Sequence, residues 1–324
     1  MSAALIPIVV PRNLAAITPT LPALFVPNAK AAERFFEFFT ANIRNKNTRR
    51  AYYRAACRFS EWCEGRGLGD LAAVKPLHVA AYIEALTGEL AKPTVKQHLA
   101  ALRMLFDWLV VGQVLDVNPA HAVRGPKHVV KKGRTPVLDR DEARALLAAI
   151  DTGSLVGLRD RALIGIMLYT FARIGAVLQM NVSDYFVQCR RGWVRLHEKG
   201  GKEMEAPCHH KLEAYLDEYI AAAGIAGDTD GPLFRTTGQA TGELHRMSQP
   251  DAYRMIQRRA RSAGIRTKIG NHSLRATGIT DYLKSAGTLE HAQAMANHSS
   301  PRTTKLYDRR ADEVSLDEYE RVGI

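Results

Sequence analysis

Residues 118–136, NPAHAVRGPKHVVKKGRTP, divide this 324-residue chain, and that division constrains what the rest can become. Prolines 119, 126 and 136 lack the amide donor a helix needs, and glycines 125 and 133 loosen the backbone further, so no long helix crosses the stretch. Helical periodicity resumes on both sides. A chain of this length is expected to form two domains, and 46% hydrophobic residues supply material for two cores. The expected plan is an extended arm over residues 1–29, a helical domain over 30–117, a linker over 118–136, a second domain over 137–307 and a tail over 308–324. The linker carries Arg124, Lys127, Lys131, Lys132 and Arg134 with no acid between them.

The arm is apolar but holds prolines at 7, 11, 19, 22 and 27. No basic segment precedes its first apolar run, and no run approaches the ~20 residues of a membrane span, so neither a signal nor an anchor is expected. In the helical domain the clearest pattern is residues 94–111. There Val95, Leu99, Leu102, Phe106 and Leu109 recur at helical spacing before Gly112. A second helix is expected from residue 47 or 48 to 64, with Tyr52, Ala56, Phe59 and Cys63 inward. A shorter one is expected over 76–86. The first turns of the second helix carry Arg49, Arg50, Arg54 and Arg58, with no acid before Glu61, a distribution suited to phosphate contacts.

Beyond the linker, Asp139 and Glu142 form a capping box, and a longer helix is expected over 159–172 with Ala162, Leu163 and Ile166 buried. Arg173 stands at its end. Residues 193–197 and 203–206 read as the two strands of a hairpin, with the glycines of Glu198-Lys-Gly-Gly-Lys202 at its turn. The expected fold class is mainly α: an N-terminal helical bundle followed by a mostly helical domain with a small antiparallel β-sheet. Cysteines 57, 63, 189 and 208 show no metal-ligand spacing and suit a reducing cytoplasm. The formal charge of +12 is shared by both halves, as expected of a chain that binds a polyanion.

Residues 271–307 gather the chemistry. Asn271 is expected to cap a helix, which sets His272 in its first turn and Arg275 three residues on, along the same face. A following helix over residues 288–296 should stop at Asn297, which tolerates a left-handed conformation, and His298 follows that stop. Ser300 and Pro301 then open a short helix carrying Tyr307. Two imidazoles, a guanidinium and a phenol result.

The order His272-x-x-Arg275, His298 just past a helix end, and Tyr307 nine residues on resembles the C-terminal motif of the tyrosine recombinases, the integrase family. The resemblance extends over about residues 30–324. It makes 30–117 the core-binding domain and 137–307 the catalytic domain. It implies six catalytic positions: Arg173, Lys199 (from the hairpin pattern G-K-G-x-K, with Lys202 as runner-up), His272, Arg275, His298 and Tyr307 as nucleophile. One position departs from the family: three residues after the first arginine an acid is usual, and here it is Ala176. Something else is then expected to orient Arg173, and restoring an acid at 176 is expected to preserve or raise activity.

A phenol is only about 0.1% ionised at neutral pH, so a tyrosine nucleophile needs help. The resemblance implies that His272 takes the phenolic proton, Arg173 and Arg275 hold the non-bridging oxygens, Lys199 protonates the departing 5′-oxygen and His298 hydrogen-bonds the phosphate. The product would be a 3′-phosphotyrosyl bond, requiring no metal and no cofactor. The expected partner is double-stranded DNA bearing inverted core sites, bound by a homo-tetramer that is monomeric in solution, with no membrane involved. A type IB topoisomerase would share the residues without the site preference, and a non-catalytic DNA-binding regulator would explain only charge and helices. A metal-dependent transposase would need a carboxylate cluster that the sequence lacks. In the tail, Ser315 and Glu318 make a capping box before an apolar stripe of Leu316, Tyr319 and Val322, expected to dock on a neighbouring subunit.

Overall fold

The computed structural model describes residues 22–130, 133–198, 201–236, 245–309 and 320–321. The chain divides into two compact units, Met1–Val129 and Val130–Ile324.

Among the described residues, the first unit contains a 3-10 turn, Ala23–Phe25, followed by α1 (Ala29–Glu37), α2 (Lys46–Glu64), α3 (Pro76–Glu89) and α4 (Lys92–Val111). Each start has a local cause. The Asn28 side chain accepts from the Ala31 amide at 2.9 Å, and Asn45 accepts from the amides of Asn47 and Thr48 at 3.0 and 3.1 Å. Those bonds satisfy amides that a helix leaves unpaired, so α2 begins slightly before the expected residue 47. On α4, Val95, Leu99, Leu102, Phe106 and Leu109 are buried as their spacing predicts. On α2, Ala56, Phe59 and Cys63 face the core while Tyr52 is only half-buried.

The expected arm does not reach residue 29. Leu24 and Phe25 are fully buried, and Phe25 stacks on Phe35 with ring centroids 5.5 Å apart. Burying such a side chain contributes about 1.5–3 kcal/mol, which draws this turn into the bundle. The expected linker likewise begins as core. Arg103 of α4 donates to the Ala120 and Val123 carbonyls, and both residues are buried in the first unit.

The second unit contains α5 (Arg140–Ala148), α6 (Leu155–Tyr169), α7 (Ile174–Gln179), β1 (Tyr185–Gln188), β2 (Arg191–Glu198), β3 (Lys202–Pro207), α8 (His210–Ala223), α9 (Gln249–Ser262), α10 (Asn271–Lys284), α11 (Leu289–Met295) and α12 (Pro301–Lys305). The strands form one antiparallel sheet in the order β1-β2-β3, with Val194 opposite both Tyr185 and Ala206. Val194 and Leu196 point into the core, as alternation requires.

Helix α6 is the centre of this unit. Residues Ala162 to Leu168 are all buried, the mark of a helix covered on every side. It begins at Leu155, earlier than the expected 159, because Ser154 accepts from the Gly157 amide at 3.1 Å. It ends at Tyr169, since Phe171 adopts a left-handed φ of 56°. Helix α10 crosses close to that end. A Cβ on Gly278 would lie 2.2 Å from the Leu168 carbonyl oxygen, so only glycine permits the approach. The capping box at Asp139 and Glu142 is present, with bonds of 2.7 and 3.1 Å.

Candidate active site

The close crossing of α6 and α10 sets the position of Arg275. Its residue is 1% exposed, and its guanidinium is held from three directions. Nη1 donates to the Phe171 carbonyl at the end of α6, and Nη2 donates to the Ala296 carbonyl at the end of α11. Nη2 also lies 2.8 Å from Nε2 of His298. The left-handed residue Phe171 is a local strain of roughly 1–3 kcal/mol, and its carbonyl contributes directly to holding Arg275.

Helix α10 begins at Asn271 with Gly270 at the cap, one residue before the expected Asn271 cap, because Ser273 Oγ accepts from the Gly270 amide at 3.1 Å. His272 keeps its place in the first turn. It is open to solvent on one side, while Arg275 on the same helix is buried. Asn297 takes the expected left-handed conformation, φ 47°, and ends α11 so that His298 enters the site. Nδ1 of His298 lies 2.9 Å from Oγ1 of Thr304, a residue with no exposed surface.

Tyr307 stands just beyond α12 rather than within it, because that helix closes at Lys305. Its ring stacks on His298 with centroids 5.7 Å apart and planes 10° from parallel. Its carbonyl accepts from Thr280 Oγ1 at 3.1 Å, and its amide donates to the Thr304 carbonyl at 2.9 Å. A small core of Phe171, Ile279, Leu283, Ala292 and Ala296 lies beneath it. Arg173 caps α7, and its Nη1 donates to Oε2 of Glu198 at 2.5 Å.

Electrostatics follow from crowding these cations. Burial pushes the His298 imidazole down to about 4, and the charges of Arg275 and Arg173 and the neighbouring His272 push it the same way. His272 is lowered by partial burial, then by Arg275 and Arg173. Burial brings Arg275 down to about 10, Arg173 adds to that, and Tyr307 and Glu198 oppose it. Both imidazoles are therefore held neutral at pH 7.

Of the six expected positions, Arg173, His272, Arg275, His298 and Tyr307 fall in this one region; Lys199 lies outside the described residues. The runner-up, Lys202, is exposed on β3. The DNA-contact candidates divide differently. Arg50, Arg54, Arg124, Lys127 and Arg134 are exposed, and Lys131 and Lys132 lie outside the described residues. Arg49 instead donates through Nε and Nη2 to the Ile43 carbonyl. Arg58 pairs with Glu89 of α3, an acid absent from the neighbouring sequence and supplied by folding.

Sequence reasoning missed Glu198, Thr304 and Thr280. For Glu198 a signal existed: it is an acid at the strand end, directly before the hairpin lysine, in a chain where Ala176 stands in place of the family's usual acid. The two threonines carried none, since a threonine on a helix is ordinary.

A phenol stacked on a neutral imidazole, beside two guanidiniums anchored by the protein, defines a candidate site for phosphoryl transfer onto tyrosine. Comparison with known proteins agrees. Residues 136–313 match the model described as "Phage integrase family", and residues 32–114 match "Phage integrase, N-terminal SAM-like domain". Tyrosine recombinase XerD of Mycobacterium leprae (strain TN) is 29% identical over 276 residues, covering 81% of this chain and 86% of that protein. The fold is shared with the XerH site-specific recombinase bound to a palindromic difH substrate: TM-score 0.70, 21% identity, 90% of this chain and 88% of that one. It is shared also with a lambda integrase tetramer bound to a Holliday junction: TM-score 0.62, 19% identity, 83% and 76%. The chain belongs to the phage integrase family. It is a tyrosine site-specific recombinase, an enzyme of DNA recombination.

Proposed function

We propose that Tyr307 attacks the scissile phosphate, forming a bond from its phenolic oxygen to phosphorus as the bond to the 5′-oxygen breaks. His272, held neutral, accepts the phenolic proton, and Lys199 delivers a proton to the leaving 5′-oxygen. Arg173 and Arg275 hold the two non-bridging oxygens with charge-assisted bonds. The resulting ester keeps the energy of the phosphodiester, so a 5′-hydroxyl from another strand can reverse the step and rejoin.

The observation that carries this reading is that His298 touches both Arg275, at 2.8 Å, and the ring of Tyr307. Nucleophile and phosphate-binding cation are thus referenced to one rigid group. His298 accepts from Arg275 here, so its role becomes positioning that guanidinium rather than donating to the phosphate. Nε of Arg275 is buried without a hydrogen-bond partner among the described residues. A phosphate oxygen would satisfy that donor, which otherwise costs roughly 1–3 kcal/mol.

The helical unit expected over residues 30–117, extended by the buried Leu24, Phe25, Ala120 and Val123, serves as a core-binding domain and 137–307 as the catalytic domain, working in the cytoplasm on DNA with inverted core sites. Monomers assemble there as a homo-tetramer, supported by the lambda integrase tetramer that shares the fold. Of the tail, residues 308–324, Arg309 stays bonded to Thr135 of its own chain and the part beyond it passes to a neighbouring subunit; residues 310–319 and 322–324 lie outside the described residues.

Trapping on a suicide substrate tests the chemistry. Wild-type protein forms an adduct that survives denaturing gels and chelation of metals, and Tyr307→Phe binds DNA without forming one. An adduct in Tyr307→Phe would overturn the assignment. Deletion of residues 312–324 should retain single-subunit binding but lose synaptic assembly; recombination at the wild-type rate would remove the exchange model.

A further inference from the structure

We infer that Glu198 is the positioning residue for Arg173, taking over the task for which the family ordinarily uses an acid three residues after that arginine. This rests on the proposed role of Arg173 at the phosphate. Ala176 cannot hold a guanidinium, and it is 4% exposed, buried on α7. Helix α7 packs against β2, and the last residue of that strand is Glu198. Its residue is 7% exposed, and its Oε2 accepts from Nη1 of Arg173.

The asymmetry of the pair indicates the direction of its action. The Glu198 side chain is 3% exposed, whereas that of Arg173 is 37% exposed. A carboxylate withdrawn this far from water is tolerable only beside a cation, so the strand end fixes one edge of the guanidinium. The open remainder of Arg173 stays available to an anion. An exposed acid would compete with phosphate for the whole group; this one is confined to a single nitrogen. Lys199 is the next residue in the chain, so the same anchor also ties the root of the hairpin to the first arginine. The acid has changed elements, from helix to strand, while keeping its partner.

A double-mutant cycle on the suicide substrate tests this, with DNA affinity measured in parallel. Glu198→Gln removes the charge at nearly constant shape, and it should slow adduct formation by about 10²-fold, the usual scale for a misplaced catalytic group, while leaving DNA binding unchanged. If Glu198 acts through Arg173, adding Glu198→Gln to Arg173→Ala costs little more than Arg173→Ala alone. A merely structural role would make the two losses multiply. Ala176→Glu placed in the Glu198→Gln background should recover part of the rate, because it returns an acid to the first turn of α7. Wild-type rates in Glu198→Gln, or independent losses in the cycle, would overturn the inference. Failure of the wild type itself to form an adduct would instead count against the proposed chemistry.

Discussion

Nη2 of Arg275 lies 2.8 Å from Nε2 of His298, and only the imidazole can be the acceptor. A guanidinium has no lone pair to offer, so Nε2 is unprotonated and the ring proton sits on Nδ1, facing Thr304 Oγ1. Protonating His298 would place two donors against each other inside the site.

This gives a pH dependence with a definite sign. The folded-state value of His298 is about 4, below the ordinary 6.5. The unfolded chain therefore binds the proton first, so the contribution is complete above about pH 6.5 and is lost as pH falls towards 4. The shift corresponds to at most about 3 kcal/mol, and His272 shifts in the same direction. Urea unfolding at about pH 7 and about pH 4.5 should show a smaller acid loss in His298→Gln than in wild type. Equal losses would mean that the ring is not held neutral.

Both sides of Tyr307 are tied to residues 133–135. The Gly133 amide donates to the Leu306 carbonyl at 3.1 Å, and Arg309 Nη2 donates to the Thr135 carbonyl at 2.6 Å. A Cβ on Gly133 would lie 2.3 Å from that Leu306 oxygen. Gly133→Ala should therefore shift the nucleophile segment and slow cleavage by about tenfold to a hundredfold without weakening DNA binding. Cleavage at the wild-type rate would show that this contact is not limiting.

Helix α2 separates its arginines by partner. Arg50 and Arg54 are exposed, and replacing either with Ala should reduce the slope of log affinity against log salt by about 0.9. Arg49, bound to Ile43, should instead show a stability loss of about 1 kcal/mol. Arg58, paired with Glu89, should leave the slope nearly unchanged. Filter binding across a salt series distinguishes these outcomes, and equal slopes for all four variants would dissolve the distinction.

Ala176→Glu alone is now expected to lower activity, contrary to the expectation from family pattern. Ala176 is buried, and Arg173 already has Glu198, so a second carboxylate would enter without a cation of its own. Such a charge costs several kcal/mol unless it is neutralised. A lower melting temperature with reduced cleavage is the expected result, and unchanged values for both would show that the site accepts two acids.

The sequence by itself determined the elements and the main cluster. The spacing from Val95 to Leu109, the capping box at Asp139, the break at Asn297 and the order of His272, Arg275, His298 and Tyr307 are local patterns, set within a few turns by sterics and hydrogen bonding. Tertiary structure decided the partners. Arg58 met Glu89 across 31 residues, Arg275 met Phe171 across 104, and Arg173 met Glu198 on another element. It also placed Phe25 in the core and made His298 an acceptor. Such pairings depend on which helix faces cross and how closely, as at Gly278, and no local periodicity encodes that geometry.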